Sequence, residues 1–160
     1  MIVLGIDPGV RKLGFALVEY NQNNHTIVDA GILFDDSPIT TRIDRYHKMS
    51  QIINYFQSLI TTHHIDRVGI ERLYFTARNQ SNAEFVYGLR GALIVLLLKH
   101  NIDIIEIDPI QVKKYITGNA KANKDQVQKK IMQLFGLEKK PQYNDSADAL
   151  GMNYIAYKMK

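Results

Sequence analysis

The sequence predicts an α/β fold in which helices flank both faces of one mixed five-stranded sheet. Three β-rich segments follow one another at the start of the chain with turn residues between them, which indicates a meander of hairpins. Two later β-rich segments alternate with helical segments, which is typical of helix crossovers. The resulting order, β-β-β-α-β-α-β-α-α-α, mixes hairpins with crossovers and provides helices for each face of the sheet.

Each predicted strand is short and is bounded by turn residues or charged residues. The first contains only apolar residues and glycine before Asp7, as expected for a strand buried on both faces, and Pro8 and Gly9 then favour a turn. The other predicted strands are residues 13–20, 26–34, 67–71 and 102–107.

The predicted helices follow from apolar residues at three- and four-residue spacing. Thr40 or Thr41 can cap a helix that continues to about His63. Its predicted apolar stripe consists of Ile43, Tyr46, Met49, Ile53, Phe56 and Ile60. The remaining helices are predicted over residues 79–100, 110–116, 124–135 and 145–158. The lysine-rich residues 117–124 are expected to be flexible.

The composition indicates one globular domain over residues 1–160, since 46% of the residues are hydrophobic and 22% are charged. The sequence has no Cys, which excludes disulfides and thiolate metal sites. The longest apolar run, residues 92–98, is too short to cross a bilayer, and the first residues lack the features of a signal peptide. We therefore expect a cytoplasmic protein without a membrane partner.

The positive charge is concentrated in one part of the chain. Residues 109–140 contain eight lysines and two acidic residues, a net charge of +6, whereas the whole chain carries +4. A basic segment joined to a mildly acidic remainder indicates a polyanionic partner such as nucleic acid. Lysines that only make helix surfaces soluble would give the same pattern.

Four carboxylates stand at positions that suit chemistry. Asp7 and Glu71 each end a short apolar strand, where a carboxylate is costly unless it is paired, hydrogen-bonded or metal-bound. Asp145 and Asp148 share a face at the start of the last helix. Structural roles remain open: Asp7 in an Asp-Pro-Gly turn, Glu71 paired with Arg72, and Asp145 as N-cap with Asp148 at N3.

Together, the four carboxylates indicate one cluster beyond the carboxyl ends of the strands. Close like charges raise one another's pKa values, so such a cluster needs protons or cations. Oxygen ligands without Cys favour Mg²⁺ or Mn²⁺. Two such ions could orient a water molecule and stabilise the leaving oxygen of a phosphodiester. With the basic segment, the cluster predicts metal-dependent cleavage of nucleic acid.

Four blocks of the sequence resemble, in order, those of the RuvC Holliday-junction resolvases, which have a ribonuclease-H-like fold. The first block is residues 5–9 with Gly14, and the last is residues 145–150. The middle blocks consist of Ile70, Glu71, Tyr74, Ala77, Asn79 and Gly91, and of Gln111, Val112, Lys113, Gly118, Ala122, Lys124, Gln126 and Val127. The resemblance covers nearly the whole chain. It departs at Tyr74, where the family commonly has Phe, and at Ala120, where it has glycine.

The resemblance implies a sheet of three antiparallel and two parallel strands, with Asp7, Glu71, Asp145 and Asp148 binding two Mg²⁺ ions, for which Mn²⁺ can substitute. It implies a homodimer that nicks a four-way DNA junction symmetrically by water attack, leaving 5′-phosphate and 3′-hydroxyl ends. The helix after Glu71, with Gly88, Gly91 and residues 93–98, is expected in the dimer interface, although a core helix would show the same pattern. The other expected partner is a branch-migration helicase complex.

Aromatic and basic residues in the matched blocks are candidates for DNA contacts. Tyr74 is expected to stack on bases unpaired at the crossover, whereas Phe75 either stacks or fills the core. Lys113 and Lys124 match family lysines near the scissile phosphate, where they could offset charge in the transition state. The further DNA-binding candidates are Arg78, Asn79 and Lys121.

Three other functions are compatible with parts of the pattern. A non-cleaving module for branched DNA would not need four carboxylates. An actin-like nucleotide-binding protein shares the Asp-x-Gly turn but needs a second phosphate-binding turn and about twice the length. A nuclease of the same fold could act on structured RNA. Incubation with Mg²⁺ and a synthetic four-way junction, beside linear duplex and an RNA–DNA hybrid, separates most of these functions.

Overall fold

The computed structural model describes residues 1–9, 12–22, 24–33, 41–74, 80–138 and 144–159, without the side chains of residues 80–82, 144 and 145. The strands are β1 (Ile2–Asp7), β2 (Leu13–Tyr20), β3 (His25–Leu33), β4 (Arg67–Glu71) and β5 (Asp103–Ile107). The helices are α1 (Arg42–His63), α2 (Gln80–Lys99), α3 (Pro109–Thr117), α4 (Lys124–Phe135) and α5 (Asn144–Lys158). These bounds agree with the predicted ones to within one residue. No helix in the described residues is both long and apolar enough to cross a membrane.

The five strands form one mixed sheet in the order β3-β2-β1-β4-β5. β2 is antiparallel to both β1 and β3, whereas β4 is parallel to both β1 and β5. The prediction of an antiparallel three-stranded part joined to two parallel strands is therefore confirmed. Because β1 and β4 are parallel neighbours in the middle of the sheet, their carboxyl ends meet at one edge.

An apolar core lies on each face of the sheet, because successive side chains of a strand point to opposite faces. On one face, Leu4 and Ile6 of β1 pack with buried residues of α1 and α2, including Phe56 and Leu89. On the other face, Val3 packs with buried residues of α3, α4 and α5. The prediction of helices on both faces is confirmed.

The start of α1 is set by Thr41, one of the two predicted caps. Thr41 Oγ1 accepts from the Asp44 amide at 3.1 Å, and Asp44 Oδ2 accepts from the Thr41 amide at 2.7 Å. The predicted apolar stripe is wrong in the first turns of the helix, since Ile43 and Tyr46 are 59% and 54% exposed. Met49 is the first apolar residue of α1 that packs on the core, so these two residues lie beyond it.

Residues 117–124, which were expected to be flexible, form a hydrogen-bonded turn between α3 and α4. Thr117 Oγ1 donates to the Lys113 carbonyl at 2.7 Å, and the Lys121 amide donates to Asn119 Oδ1 at 2.9 Å. Ala122 is buried in the core beneath the turn. The turn thereby fixes the start of α4, whose first residue is Lys124.

Candidate active site

The carboxyl groups of Asp7 and Glu71 lie beside each other at the edge of the sheet. Ile6 is opposite Ile70 in the parallel register of β1 and β4, and each strand ends one residue later. Both carboxyl groups therefore project from the face opposite the two isoleucines, which is the face that carries α5. The two side chains lie close enough to interact, and the contact with Asp7 lowers the pKa of Glu71.

Two glycines allow α5 to lie directly against the strands that end in these carboxyl groups. Gly5 and Gly69 are paired across β1 and β4. A Cβ at Gly5 would lie 2.0 Å from the Ala149 carbonyl oxygen, and a Cβ at Gly69 would lie 2.5 Å from the Met152 carbonyl oxygen. Only glycine fits beneath α5 at both positions. This close approach brings the first turns of α5 to the ends of the strands.

Asn153, whose side chain is buried, fixes the position of α5 along β1 and β2. Asn153 Nδ2 donates to the carbonyl oxygens of Val3 at 2.6 Å and Ala16 at 3.0 Å. Asn153 Oδ1 accepts from the Tyr20 hydroxyl at 2.7 Å. Leaving one of these buried groups without its partner costs about 1–3 kcal/mol. The network therefore holds α5 in one register over the sheet.

Asp148 reaches the site from α5 and is paired there with a lysine from α4. Lys124 Nζ lies 2.9 Å from Asp148 Oδ2. Lys124 is positioned by the capping box of α4, in which the Asn123 side chain accepts from the Gln126 amide. The α4 helix thus places a positive charge beside the Asp148 carboxylate.

The electrostatics of the site favour a cation. Burial raises the pKa of Glu71, the hydrogen bond with Asp7 and the charge of Lys124 lower it, and the Asp148 and Asp108 carboxylates raise it further, for a net increase. The neighbouring carboxylates oppose the ionisation of Glu71 because like charges repel. A divalent cation bound between these carboxyl groups would offset their mutual repulsion.

These side chains line one pocket of about 270 Å³, room for roughly nine water molecules. The lining residues are Asp7, Glu71, Pro109, Val112, Lys113, Lys124, Val127, Asp148 and Met152. Three of the four predicted carboxylates and two of the predicted lysines therefore lie in the same pocket, although they come from five different elements of the fold.

Several predicted site residues lie outside the described part of the structure. Phe75, Arg78 and Asn79 are among them, and so is the side chain of Asp145. The backbone places Asp145 second in α5, three residues before Asp148. Since α5 begins at Asn144, the alternative in which Asp145 is the N-cap of this helix is not supported.

Tyr74 and Lys121 lie outside the set of lining residues. Tyr74 is 53% exposed, and its hydroxyl donates to Asp108 Oδ2. The Arg72 guanidinium lies 5.9 Å from the centroid of the Tyr74 ring, and no ion pair joins Arg72 to Glu71 among the described residues. Glu71 is therefore paired with Asp7 rather than with Arg72, and Lys121 is exposed in the turn before α4.

Sequence reasoning missed the residues that assemble the site. Gly69 interrupts an apolar strand, and a glycine inside a strand signals the close approach of another backbone. Asn153 is a polar residue within an apolar stretch of helix, which signals a buried hydrogen bond. The role of Asp108 as N-cap of α3 could have been predicted from the Asp-Pro pair that follows β5.

The donor chemistry of the pocket fits a hard divalent cation, because its charged acceptors are all carboxylate oxygens. In the described residues, no group of three or more Asp, Glu or His side chains is already arranged to hold a metal ion. Asp7, Glu71 and Asp148 are the described lining residues whose oxygens could hold such an ion.

The sheet order and the helices on both faces define a ribonuclease-H-like fold, with an acidic pocket at the ends of β1 and β4. The family model described as crossover junction endodeoxyribonuclease RuvC matches residues 3–155. The chain therefore belongs to the RuvC family of crossover junction endodeoxyribonucleases. Nucleases of this family depend on a divalent metal.

Individual relatives agree with this assignment. The RuvC crossover junction endodeoxyribonucleases of Petrotoga mobilis and Alkaliphilus metalliredigens are each 36% identical to the chain. The matches cover 94% and 95% of this chain and 89% and 90% of the relatives. The solved structure of T. thermophilus RuvC in complex with a Holliday junction substrate is 24% identical, with a TM-score of 0.84 over 98% of this chain and 94% of that chain. This likeness confirms the fold.

Proposed function

We propose that this protein resolves four-way (Holliday) DNA junctions by paired symmetric nicks, in DNA recombination and repair. The observation that carries the proposal is the convergence of Asp7, Glu71, Asp148 and Lys124 in one pocket of a chain that belongs to a junction endonuclease family. The T. thermophilus relative was solved with a Holliday junction substrate, and we infer the same class of substrate here.

The reaction is hydrolysis of a phosphodiester, with 5′-phosphate and 3′-hydroxyl products. Among the described lining residues none carries a hydroxyl or thiol group, which supports water as the nucleophile. Asp7, Glu71, Asp148 and Asp145 are the residues that would hold two Mg²⁺ ions, or Mn²⁺ in their place. Bound metal would supply Lewis acidity toward the phosphate and the water. Asp7 and Glu71 must both be deprotonated to act as ligands.

Lys124 and Lys113 act on the phosphate in this proposal. Lys124 is paired with Asp148. If a bound cation neutralised Asp148, the ammonium group of Lys124 would be available to a phosphate in the same pocket. A positive charge at that place stabilises the negative charge that develops in the transition state.

The proposed DNA contacts extend beyond the pocket. Tyr74 is exposed three residues after Glu71, a position from which its ring can stack on an unpaired base. The basic segment 109–140 supplies phosphate contacts, whose strength falls as salt rises. The complete set of proposed DNA-binding residues is Tyr74, Phe75, Arg78, Asn79, Lys113, Lys121 and Lys124.

We infer a homodimer that uses the outer face of α2. Leu89 and Leu93 bury one side of this helix in the core, whereas the opposite side carries an apolar stripe at helical spacing. This stripe consists of Tyr87, Gly91, Val95 and Leu98, of which Val95 and Leu98 are 53% and 60% exposed. Gly88, which is expected to face the partner, is exposed, and a Cβ there would lie 3.0 Å from Met49 Cε at the tip of an α1 side chain.

Two copies of the pocket in one dimer would explain how two strands of like polarity are nicked together. We also propose that the chain forms a single domain over residues 1–160, that it acts in the cytoplasm, and that a branch-migration helicase complex delivers the junction. These three proposals are supported by the family assignment rather than by any contact in the structure.

The proposed function is tested with a synthetic four-way junction and Mg²⁺, beside linear duplex DNA and an RNA–DNA hybrid of the same sequence. We expect paired symmetric nicks in the junction and intact duplex and hybrid. Binding to the junction without nicking would instead support a non-cleaving module for branched DNA. Preferential cleavage of structured RNA in a parallel incubation would change the substrate class.

A further inference from the structure

We propose that Asp108 is a positioning residue that orients the Tyr74 ring beside the pocket and thereby helps to select the base next to the cleaved phosphate. This inference rests on the proposed function, because it concerns how the junction is read at the site of cleavage. It concerns a contact of this chain that requires a tyrosine hydroxyl, which a phenylalanine at the same position would lack.

The Asp108 carboxylate is held in place from the side of α3. Its Oδ1 accepts from the Ile110 amide at 2.7 Å, and the Asp108 amide donates to Gln111 Oε1 at 3.1 Å. These contacts form the capping box that begins α3, and the same helix is anchored in the core by Val112 and Ile116. Oδ1 therefore caps α3, and the same contacts fix the position of Oδ2, which can accept a hydrogen bond from another residue.

Tyr74 is the residue that contacts Asp108 Oδ2. Its hydroxyl donates to Asp108 Oδ2, and this bond raises the pKa of the Tyr74 hydroxyl and lowers the pKa of Asp108. The Arg72 guanidinium lies 5.9 Å from the ring centroid. A tyrosine that is 53% exposed would otherwise sample several rotamers, so these contacts restrict an exposed aromatic ring to one orientation.

The restricted ring lies next to the reactive groups. Tyr74 follows Glu71 by three residues, and Asp108 precedes Pro109, which lines the pocket. The Asp108 charge is also close enough to raise the pKa of Glu71. A ring fixed to α3 has a set position relative to the bound phosphate, and a pre-organised stacking surface binds its base without first losing rotamer freedom.

The test compares two variants that remove the contact from opposite sides. Tyr74→Phe keeps the ring and removes the hydroxyl. Asp108→Ser keeps an N-capping oxygen for α3 and removes the oxygen that Tyr74 contacts. Thr41→Ser is the matched control, because it exchanges a cap on α1, a helix that contributes nothing to the pocket. The variant that carries both Tyr74→Phe and Asp108→Ser completes a double-mutant cycle.

Each protein is assayed on four junctions that differ only in the base beside the cleaved phosphate. The base preference is the ratio of kcat on the junction that is cut fastest to kcat on the junction that is cut slowest. We expect each single variant to lower this ratio by about fivefold, the factor that one ordinary hydrogen bond contributes. The expected change in KM is within about twofold, because phosphate contacts dominate binding. The double variant should match the single variants, and Thr41→Ser should match the unmodified protein.

Two results would overturn the inference. One is a base preference in Tyr74→Phe equal to that of the unmodified protein, since the ring would then select the base without its hydrogen bond to Asp108. The other is a double variant whose loss is the sum of the two single losses. If Asp108→Ser has a lower Tm because α3 is weakened, the base preference of Tyr74→Phe by itself tests the inference. An unmodified protein that cuts none of the junctions would refute the proposed function instead.

Discussion

A methyl group added at Gly5 should displace α5 and abolish most of the cleavage activity, although every carboxylate of the proposed active site is retained. In Gly5→Ala the new Cβ would lie 2.0 Å from the Ala149 carbonyl oxygen and 2.7 Å from the Asn153 amide nitrogen. Both neighbours are backbone atoms of α5, so no rotamer change relieves the clash. Ordinary contact begins near 3.4 Å, so α5 must move by about 1.4 Å.

The magnitude follows from this displacement. Overpacking in a core costs about 1–3 kcal/mol, and two backbone clashes place Gly5→Ala near the upper value. At about 2–4 °C per kcal/mol for a domain of this size, the Tm should fall by about 6–12 °C. A shift of about 1 Å in catalytic groups costs about 100-fold in rate, so junction cleavage should fall by about that factor at a temperature where the variant is folded.

The assay combines thermal melts with single-turnover cleavage of a synthetic junction at 20 °C. Gly31→Ala is the matched control, because its Cβ would lie 3.6 Å from Phe15 Cε1, an ordinary contact. The control should change the Tm by less than about 3 °C and leave the rate unchanged. A Gly5→Ala protein with the Tm and cleavage rate of the unmodified protein would show that α5 does not lie directly against β1.

Three further predictions concern the site and the proposed dimer. Asp7→Asn should still shift a junction in a binding gel but should give no detectable nicks, and retained nicking would remove Asp7 from the site. Glu71→Gln should raise the Tm of the protein at pH 7 in EDTA. Burial raises the folded-state pKa of Glu71, so the protonated side chain contributes its full stability below about pH 4.3. That contribution is lost as the pH rises through the folded-state pKa and Glu71 ionises, whereas Gln stays neutral. The difference from the unmodified protein should vanish near pH 4 in the same melts, and a lower Tm at pH 7 would contradict the raised pKa. Leu98→Glu places a charge on the exposed face of α2 and should give monomers in sedimentation experiments, whereas a persistent dimer would move the interface away from this face.

The sequence was informative wherever the signal is local. Alternation, helical spacing and capping residues act over a few positions, so the described strands and helices begin and end within one residue of prediction. It failed where a local pattern has two meanings. Ile43 and Tyr46 continue an apolar stripe but lie beyond the core. The neighbours of a helix face are set by distant segments, which spacing alone does not reveal.

The sequence by itself determined the order of elements, the carboxylates at the ends of β1 and β4, and the resemblance to a junction endonuclease family. The tertiary structure alone decided how these groups meet: α5 lies on Gly5 and Gly69, Asn153 sets its register, and Lys124 reaches Asp148. The physical reason is the range of the interactions. Backbone propensity is fixed by neighbouring residues, whereas the charge state and spacing of a carboxylate cluster depend on residues that become neighbours only when the chain folds.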